Sequence, residues 1–189
     1  MKPWASKEIH FGLNYNQVIY SSCHDEFINW IRKVFKDKKK VVDLGGGNGR
    51  ILHKLKPYIS EYYSLDLNKD NIEVGRNFFK DENIHFQIFD IDEDEININT
   101  DIVLIDSVLT MINDPFGCLT KCLKVADYIF LNRTPLNNIT ESKKEFYDWG
   151  FMKEKSILWK FSSHEINDFC EKNNLNLDII NSSTFIIRK

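Results

Sequence analysis

Asp43-Leu44-Gly45-Gly46-Gly47-Asn48-Gly49, preceded by Val41-Val42 and running into Arg50-Ile51-Leu52-His53-Lys54-Leu55-Lys56, decides how this chain folds. A short apolar run with the character of a buried strand is halted by glycines, and a helical apolar spacing resumes before Pro57. Glycine admits a sharp turn and lets a ligand approach the main chain, while the start of the next helix offers unpaired N–H groups. The spacing rules out familiar nucleotide motifs. Gly-x-Gly-x-x-Gly begun at Gly45 needs a small residue at Arg50, and begun at Gly47 it needs one at Leu52. A Walker-type phosphate loop needs Gly-Lys-Ser/Thr, which does not follow.

The same alternation continues on both sides. Tyr62-Tyr63-Ser64-Leu65-Asp66 reads as a strand, followed by a helix through Ile72, Val74, Phe78 and Phe79. Residues 84–89 form a third expected strand, ending at Asp90 and leading into Asp92-Glu93-Asp94-Glu95, expected as a solvated turn. Residues 102–105 end at Asp106; a helix over 116–125 leads to a strand over 128–131. Upstream, Phe27, Ile28, Ile31, Val34 and Phe35 predict a helix over 25–40 behind a Ser22-x-x-Asp25 cap. Lys36, Lys38, Lys39 and Lys40 sit at its expected end, where cations complement the dipole. Strands alternating with helices imply βαβ units and a parallel sheet. The last third differs: residues 135–161 are polar and aromatic, with a helix expected over 141–149. Ser162-Ser163-His164-Glu165 offers a capping box before Ile166, Phe169 and Cys170. Residues 175–180 and 184–187 read as strands paired in a hairpin across Asn181-Ser182-Ser183.

The length of 189 residues predicts one domain. Lys+Arg 25 against Asp+Glu 28 leaves a net charge of −3, which argues against a mainly electrostatic nucleic-acid binder. Cys23, Cys118, Cys122 and Cys170 are too scattered for a disulfide framework, and no long apolar run suggests a membrane span. The expectation is a reduced, cytoplasmic protein without a membrane partner.

Asp43, Gly45, Gly47 and Gly49 supply the pattern acidic-x-Gly-x-Gly-x-Gly, and here the chain resembles the class I S-adenosylmethionine-dependent methyltransferases. The resemblance covers residues 41–189, and its specificity lies in motif order. It implies a doubly wound, Rossmann-like α/β fold: a seven-stranded, mostly parallel sheet with an antiparallel C-terminal strand and helices on both faces. It implies S-adenosyl-L-methionine as cofactor and S-adenosyl-L-homocysteine as product. Asp43 would then bind the methionyl amino end, directly or through water, and Gly45, Gly46 and Gly47 would let the cofactor lie against the turn. Asp66, followed by Leu67, would accept bonds from the ribose hydroxyls. Asp90 would meet the adenine amino group while Ile91 packs on the ring. Asp106 and Ser107 end the strand that faces the cofactor, in a stretch that runs on to Asp114-Pro115 and resembles small-molecule methyltransferases. No Asn-Pro-Pro-Tyr or Asp-Pro-Pro-Tyr element for gripping a flipped-out base is present, which disfavours nucleic acid. The turn at Lys172-Asn173-Asn174 departs from the family by lacking glycine, so an asparagine must take the left-handed conformation.

Ligands of open α/β sheets lie beyond the carboxyl ends of the strands. That places Arg133 beside the transfer site, able to clamp a carboxylate or phosphate on the acceptor, with a surface salt bridge as the competing reading. His24 is a candidate base, or else a capping residue. Residues 1–40 are expected as a helical lid segment and residues 135–161 as an insertion near the acceptor. Tyr20, Tyr147 and Trp149 are candidate pocket walls that serve packing equally well. Cys118 and Cys122 lack a second ligand pair, so no metal is expected. The resulting expectation is methyl transfer to a small molecule such as a sugar, oxygen slightly ahead of nitrogen. The rivals are a non-catalytic methyltransferase-like binding or partner subunit and, behind it, an NAD-dependent dehydrogenase.

Overall fold

Phe27, Ile28 and Ile31 share one stripe of α1 (Asp25–Val34) and are buried. The computed structural model describes residues 24–148 and 156–189. After α1 come β1 (Lys39–Leu44), α2 (Leu52–Leu55), β2 (Ile59–Asp66), α3 (Lys69–Phe78) and β3 (Ile84–Ile88). Then follow β4 (Ile102–Asp106), α4 (Pro115–Val125), β5 (Tyr128–Asn132), β6 (Leu136–Asn137) and β7 (Lys143–Tyr147). The chain ends with β8 (Ser156–Ser162), α5 (Ser163–Lys172), β9 (Asn176–Asn181) and β10 (Thr184–Arg188).

The main sheet has seven strands in the order β3-β2-β1-β4-β5-β10-β9. Neighbours from β3 to β5 are parallel, and β10 runs antiparallel to both β5 and β9. Alternation sorts the core into two layers. Val41, Ile102, Leu104, Phe130 and Ile186 pack with α1, α2 and α3. Val42, Leu44, Val103, Ile105, Leu131 and Phe185 pack with α4 and α5. The expected fold class is therefore the observed one, and Asn174, at φ 54, is the left-handed residue of the turn before β9.

Several local expectations are corrected. The first helix stops at Val34 instead of running to residue 40, because Lys39 and Lys40 are captured by β1. Lys40 N–H donates to Asp101 Oδ2 at 2.7 Å, and its Nζ pairs with Glu61 at 2.8 Å. The acidic turn is not merely solvated: Asp92 accepts from Asn113 N–H at 2.8 Å, and Lys121 Nζ donates to the Asp94 carbonyl at 2.9 Å. No helix forms over the described residues 141–148 of the expected helix; residues 143–147 are instead β7, antiparallel to β8. β7 is exposed along its whole length, so no apolar alternation betrays it, and pairing with β8 overrides local helix preference. The capping box is only half made. Ser162 Oγ accepts from Glu165 N–H at 3.4 Å, but the Glu165 carboxylate takes Ser142 N–H at 2.7 Å.

An open cleft of about 420 Å³ is lined by Leu65, Gln87, Phe89 and residues 94–98. Leu65 belongs to the α4/α5 layer and Gln87 is its register partner, so this cleft lies on the sheet face opposite Asp43 and Asp66. The carboxylates at the ends of β1, β2 and β4 are on the other face. Among the described residues, no helix is long and apolar enough to cross a membrane.

Candidate active site

Asp43, Ser64 and Asp66 share the α1–α3 face of the sheet with Asp106 and Asn132, at the carboxyl ends of adjacent strands. The glycine turn hangs over the first of these. Gly45 has φ 74, and a Cβ there would lie 2.2 Å from Val108 Cγ2. Gly47 has φ 57, but a Cβ there would meet nothing nearer than Asn71 Nδ2 at 3.8 Å and Asp66 Oδ2 at 3.9 Å. Gly45 is thus required by backbone and packing, whereas Gly47 leaves space for a ligand against the main chain.

Beneath the turn, Asp43 is 5% exposed and its Oδ2 accepts from Tyr62 OH at 2.7 Å. Burial pushes the Asp43 carboxyl up to about 8, the Tyr62 bond opposes this, and the charges of Asp106 and Asp66 add to the rise. A group raised in the folded state stabilises fully in acid, and that contribution is lost as pH climbs through the folded value. Melts of the ligand-free protein should therefore lose up to about 1.4 kcal/mol per pH unit to this group between about pH 4 and 8. D43N should flatten that slope; equal slopes in both proteins would remove the assignment.

Asp66 ties the turn to the start of α3. Its Oδ2 accepts from Gly47 N–H at 2.9 Å and its Oδ1 from Asn68 N–H at 2.7 Å. Burial raises its pKa, partly resisted by those bonds. A carboxylate offers about four acceptor positions, so both oxygens keep capacity for hydroxyl donors. Leu67 follows, half-buried. Ile88 sits opposite Asp66 in the register and is 51% exposed on the same face. Sequence reading missed it as an apolar wall for a flat ring; strand alternation measured from Asp66 was the available signal. Asp90 is taken up in its own turn, accepting from Asp92 N–H through Oδ1 at 3.1 Å, while Ile91 packs half-buried toward the α4/α5 layer.

A second cluster centres on Asp106, whose side chain is 9% exposed. Oδ1 accepts from Arg133 Nε at 2.7 Å and from Asn132 Nδ2 at 3.1 Å. His24 Nε2 lies 2.9 Å from Oδ2. That is an ion-pair distance, yet the ring is not aligned for a hydrogen bond, and Oδ2 is otherwise buried without a partner among the described residues. Burial alone would raise the Asp106 pKa; His24 and Arg133 more than offset it and hold it below the usual range. Ser107 and Arg133, which follow β4 and β5, have φ 67 and 50. Such left-handed backbone costs about 1–2 kcal/mol in a residue with a Cβ, so the surrounding fold must impose it. Ser107 N–H donates to Asn132 O at 2.9 Å, and Thr134 N–H donates to Ser183 O at 2.8 Å.

The cluster extends to both ends of the described chain. Thr184 Oγ1 lies 2.9 Å from Asn132 Oδ1 and 2.5 Å from Glu26 Oε2, and Asn181 Nδ2 donates to Glu26 Oε1 at 2.6 Å. Glu26 thereby anchors the start of α1, the end that carries His24. Neither Glu26 nor Thr184 was legible from sequence, since they lie 158 positions apart. Tyr147 is 49% exposed on β7 and is not part of this cluster. Tyr20 and Trp149 lie outside the described residues. No grouping of three or more His, Cys, Asp or Glu suited to a metal ion occurs among the described residues.

A family model described as a methyltransferase domain matches residues 35–176. No curated protein matches the chain. Among solved structures, the chain resembles an amino pentose methyltransferase from Micromonospora echinaspora involved in calicheamicin biosynthesis. The TM-score is 0.64 at 12% identity, over 89% of this chain and 92% of that one. It also resembles the magnesium protoporphyrin IX methyltransferase of Synechocystis PCC 6803, with TM-score 0.61 at 15% identity, over 86% and 75%. At these identities the likeness is one of fold.

Proposed function

The chain belongs to the class I S-adenosylmethionine-dependent methyltransferases, and on that premise we propose that it methylates a hydroxyl oxygen of a small acceptor. The residues of the glycine turn fit the family's cofactor: open main chain at Gly47, a carboxylate at Asp66 with spare acceptor capacity, and an exposed apolar wall at Ile88. Asp66 would hold the ribose hydroxyls, Leu67 and Ile88 would flank the adenine with Asp90 and Ile91 shaping its rim, and Asp43 would face the amino end. When bound, the cofactor supplies a methyl group already activated on a sulfonium.

The observation that carries the choice of oxygen is the placement of His24 against Asp106 at the carboxyl end of β4. A neutral hydroxyl must lose its proton as its oxygen bonds to carbon, so a base is needed. Nε2 of His24 faces Asp106, which leaves Nδ1 to receive that proton. Asp106, kept ionised by its neighbours, then stabilises the protonated ring and fixes its orientation. Such contacts commonly tighten only once the substrate is bound, which accounts for the unaligned Oδ2. Ser107, strained at the same strand end, lines the route between cofactor and acceptor. The amino pentose methyltransferase fold supports a sugar-sized acceptor. The thiols of Cys118, Cys122 and Cys170, all free and buried, support a reduced cytoplasmic setting.

Incubation with methyl-labelled cofactor and fractionated metabolite pools tests the proposal. Label should enter a small hydroxylated compound and be recovered as a methyl ether. Tight S-adenosylhomocysteine binding without transfer to any pool would overturn the proposal in favour of a partner subunit.

A further inference from the structure

Alternate residues of β2, Tyr62, Ser64 and Asp66, share one face of the strand, and each directs a polar group at the glycine turn or at the carboxylate beneath it. Ser64 Oγ donates to Gly47 O at 2.9 Å, and Asp66 Oδ2 accepts from Gly47 N–H at 2.9 Å. Those two bonds hold the turn itself. Tyr62 OH instead donates to Asp43 Oδ2 at 2.7 Å. Asp43 lies directly under the turn, for a Cβ at Gly46 would fall 2.8 Å from its Cγ and 2.9 Å from Oδ2.

Packing does not account for the Tyr62 hydroxyl. The ring is fully buried in the α1–α3 layer, edge-on to Phe86 with centroids 6.5 Å apart, and phenylalanine would fill the same space. A hydroxyl and a carboxyl buried together cost free energy that an apolar pair would not. The charged surroundings give Asp43 little help. Asp66 and Asp106 are themselves acids, His24 and Arg133 pair with Asp106, and Glu26 stands behind them on Thr184. Among the described residues Tyr62 is the hydrogen-bond donor to Asp43, and Oδ1 takes no such bond.

We infer that Tyr62 is a positioning residue of the cofactor site: by holding Asp43 Oδ2 it leaves Oδ1 to accept from the ammonium group at the methionyl end. The inference rests on the methyltransferase reading above. Burial among acids raises Asp43 to about 8 even with the Tyr62 bond in place. Seating an ammonium there therefore expels a proton, and losing the bond makes that expulsion harder.

Calorimetry with S-adenosylhomocysteine and 5′-methylthioadenosine tests this, since the second keeps the nucleoside and sulfur but lacks the amino acid end. Any pH trend from Asp66 is common to both ligands, so their affinity ratio isolates Asp43. In the wild-type protein that ratio should rise toward about pH 8, by up to about tenfold per unit for one proton. Y62F should weaken S-adenosylhomocysteine about tenfold at neutral pH, spare methylthioadenosine, and lose less as pH rises beyond about 8. Replacing Tyr62 by 3-fluorotyrosine keeps ring and bond, and its more acidic hydroxyl should move the profile to lower pH. Equal weakening of both ligands, a loss independent of pH, or a profile unmoved by either change would overturn the inference. Wild-type protein that binds neither ligand would count against the underlying reading and not against Tyr62.

Discussion

H24A is expected to lower turnover by about 10²–10⁴-fold, the range over which a positioned base acts. The expectation follows from the place of His24 at the start of α1, brought against Asp106 by Glu26 contacts to Asn181 and Thr184. Its ring lies beyond the carboxyl end of β4, on the same face as Asp43 and Asp66. A base is required only while the acceptor holds its proton, so the defect should shrink as assay pH rises and acceptor ionisation makes the base redundant. Turnover measured across pH with the acceptor found in the labelling screen gives the answer. A pH-independent loss of less than about threefold would show that alignment without proton removal dominates and would favour an acceptor that needs no base. D106N separates the roles further. It leaves His24 in place but removes the charge that stabilises the protonated ring, so it should lower kcat more than it raises KM.

D66A should weaken S-adenosylhomocysteine binding by about 1.5–3 kcal/mol, the usual worth of hydrogen bonds to a charged group. That corresponds to about 10–150-fold in Kd. The carboxylate has a second function that enlarges the effect: its bonds to Gly47 N–H and Asn68 N–H hold the glycine turn against α3. D66N, which keeps the shape and one acceptor oxygen, should lose less than D66A. Calorimetry on both variants gives the ranking, and unchanged affinity in D66A would take the ribose contact away from this residue. The raised pKa of Asp66, caused by burial, also predicts that binding tightens as pH rises and the carboxylate ionises.

The order of elements was legible because each depends on neighbours in the chain. Val41 to Leu44, the glycines after them and the strand-end aspartates Asp66, Asp90 and Asp106 announce strand, turn and ligand end through local spacing alone. The same reasoning failed over residues 143–147, where β7 exposes every side chain and owes its conformation to β8. It failed at Lys39 and Lys40, where a run of lysines suited a helix end but strand pairing with β2 prevailed. Local propensities are small per residue and give way to a ladder of paired backbone groups.

The division in the candidate site is the same. The sequence by itself determined the fold class, the glycine turn and the carboxylates at the strand ends, because backbone freedom and periodicity are properties of short stretches. Only the tertiary structure decided that Asp106 is shared by His24, Asn132 and Arg133, and that Glu26 and Thr184 steady the start of α1. Those contacts exist because β10 inserts antiparallel beside β5 and α1 packs on the same face, bringing distant residues together. The pattern of residues along the chain does not encode that distance locally; strand order and register create it.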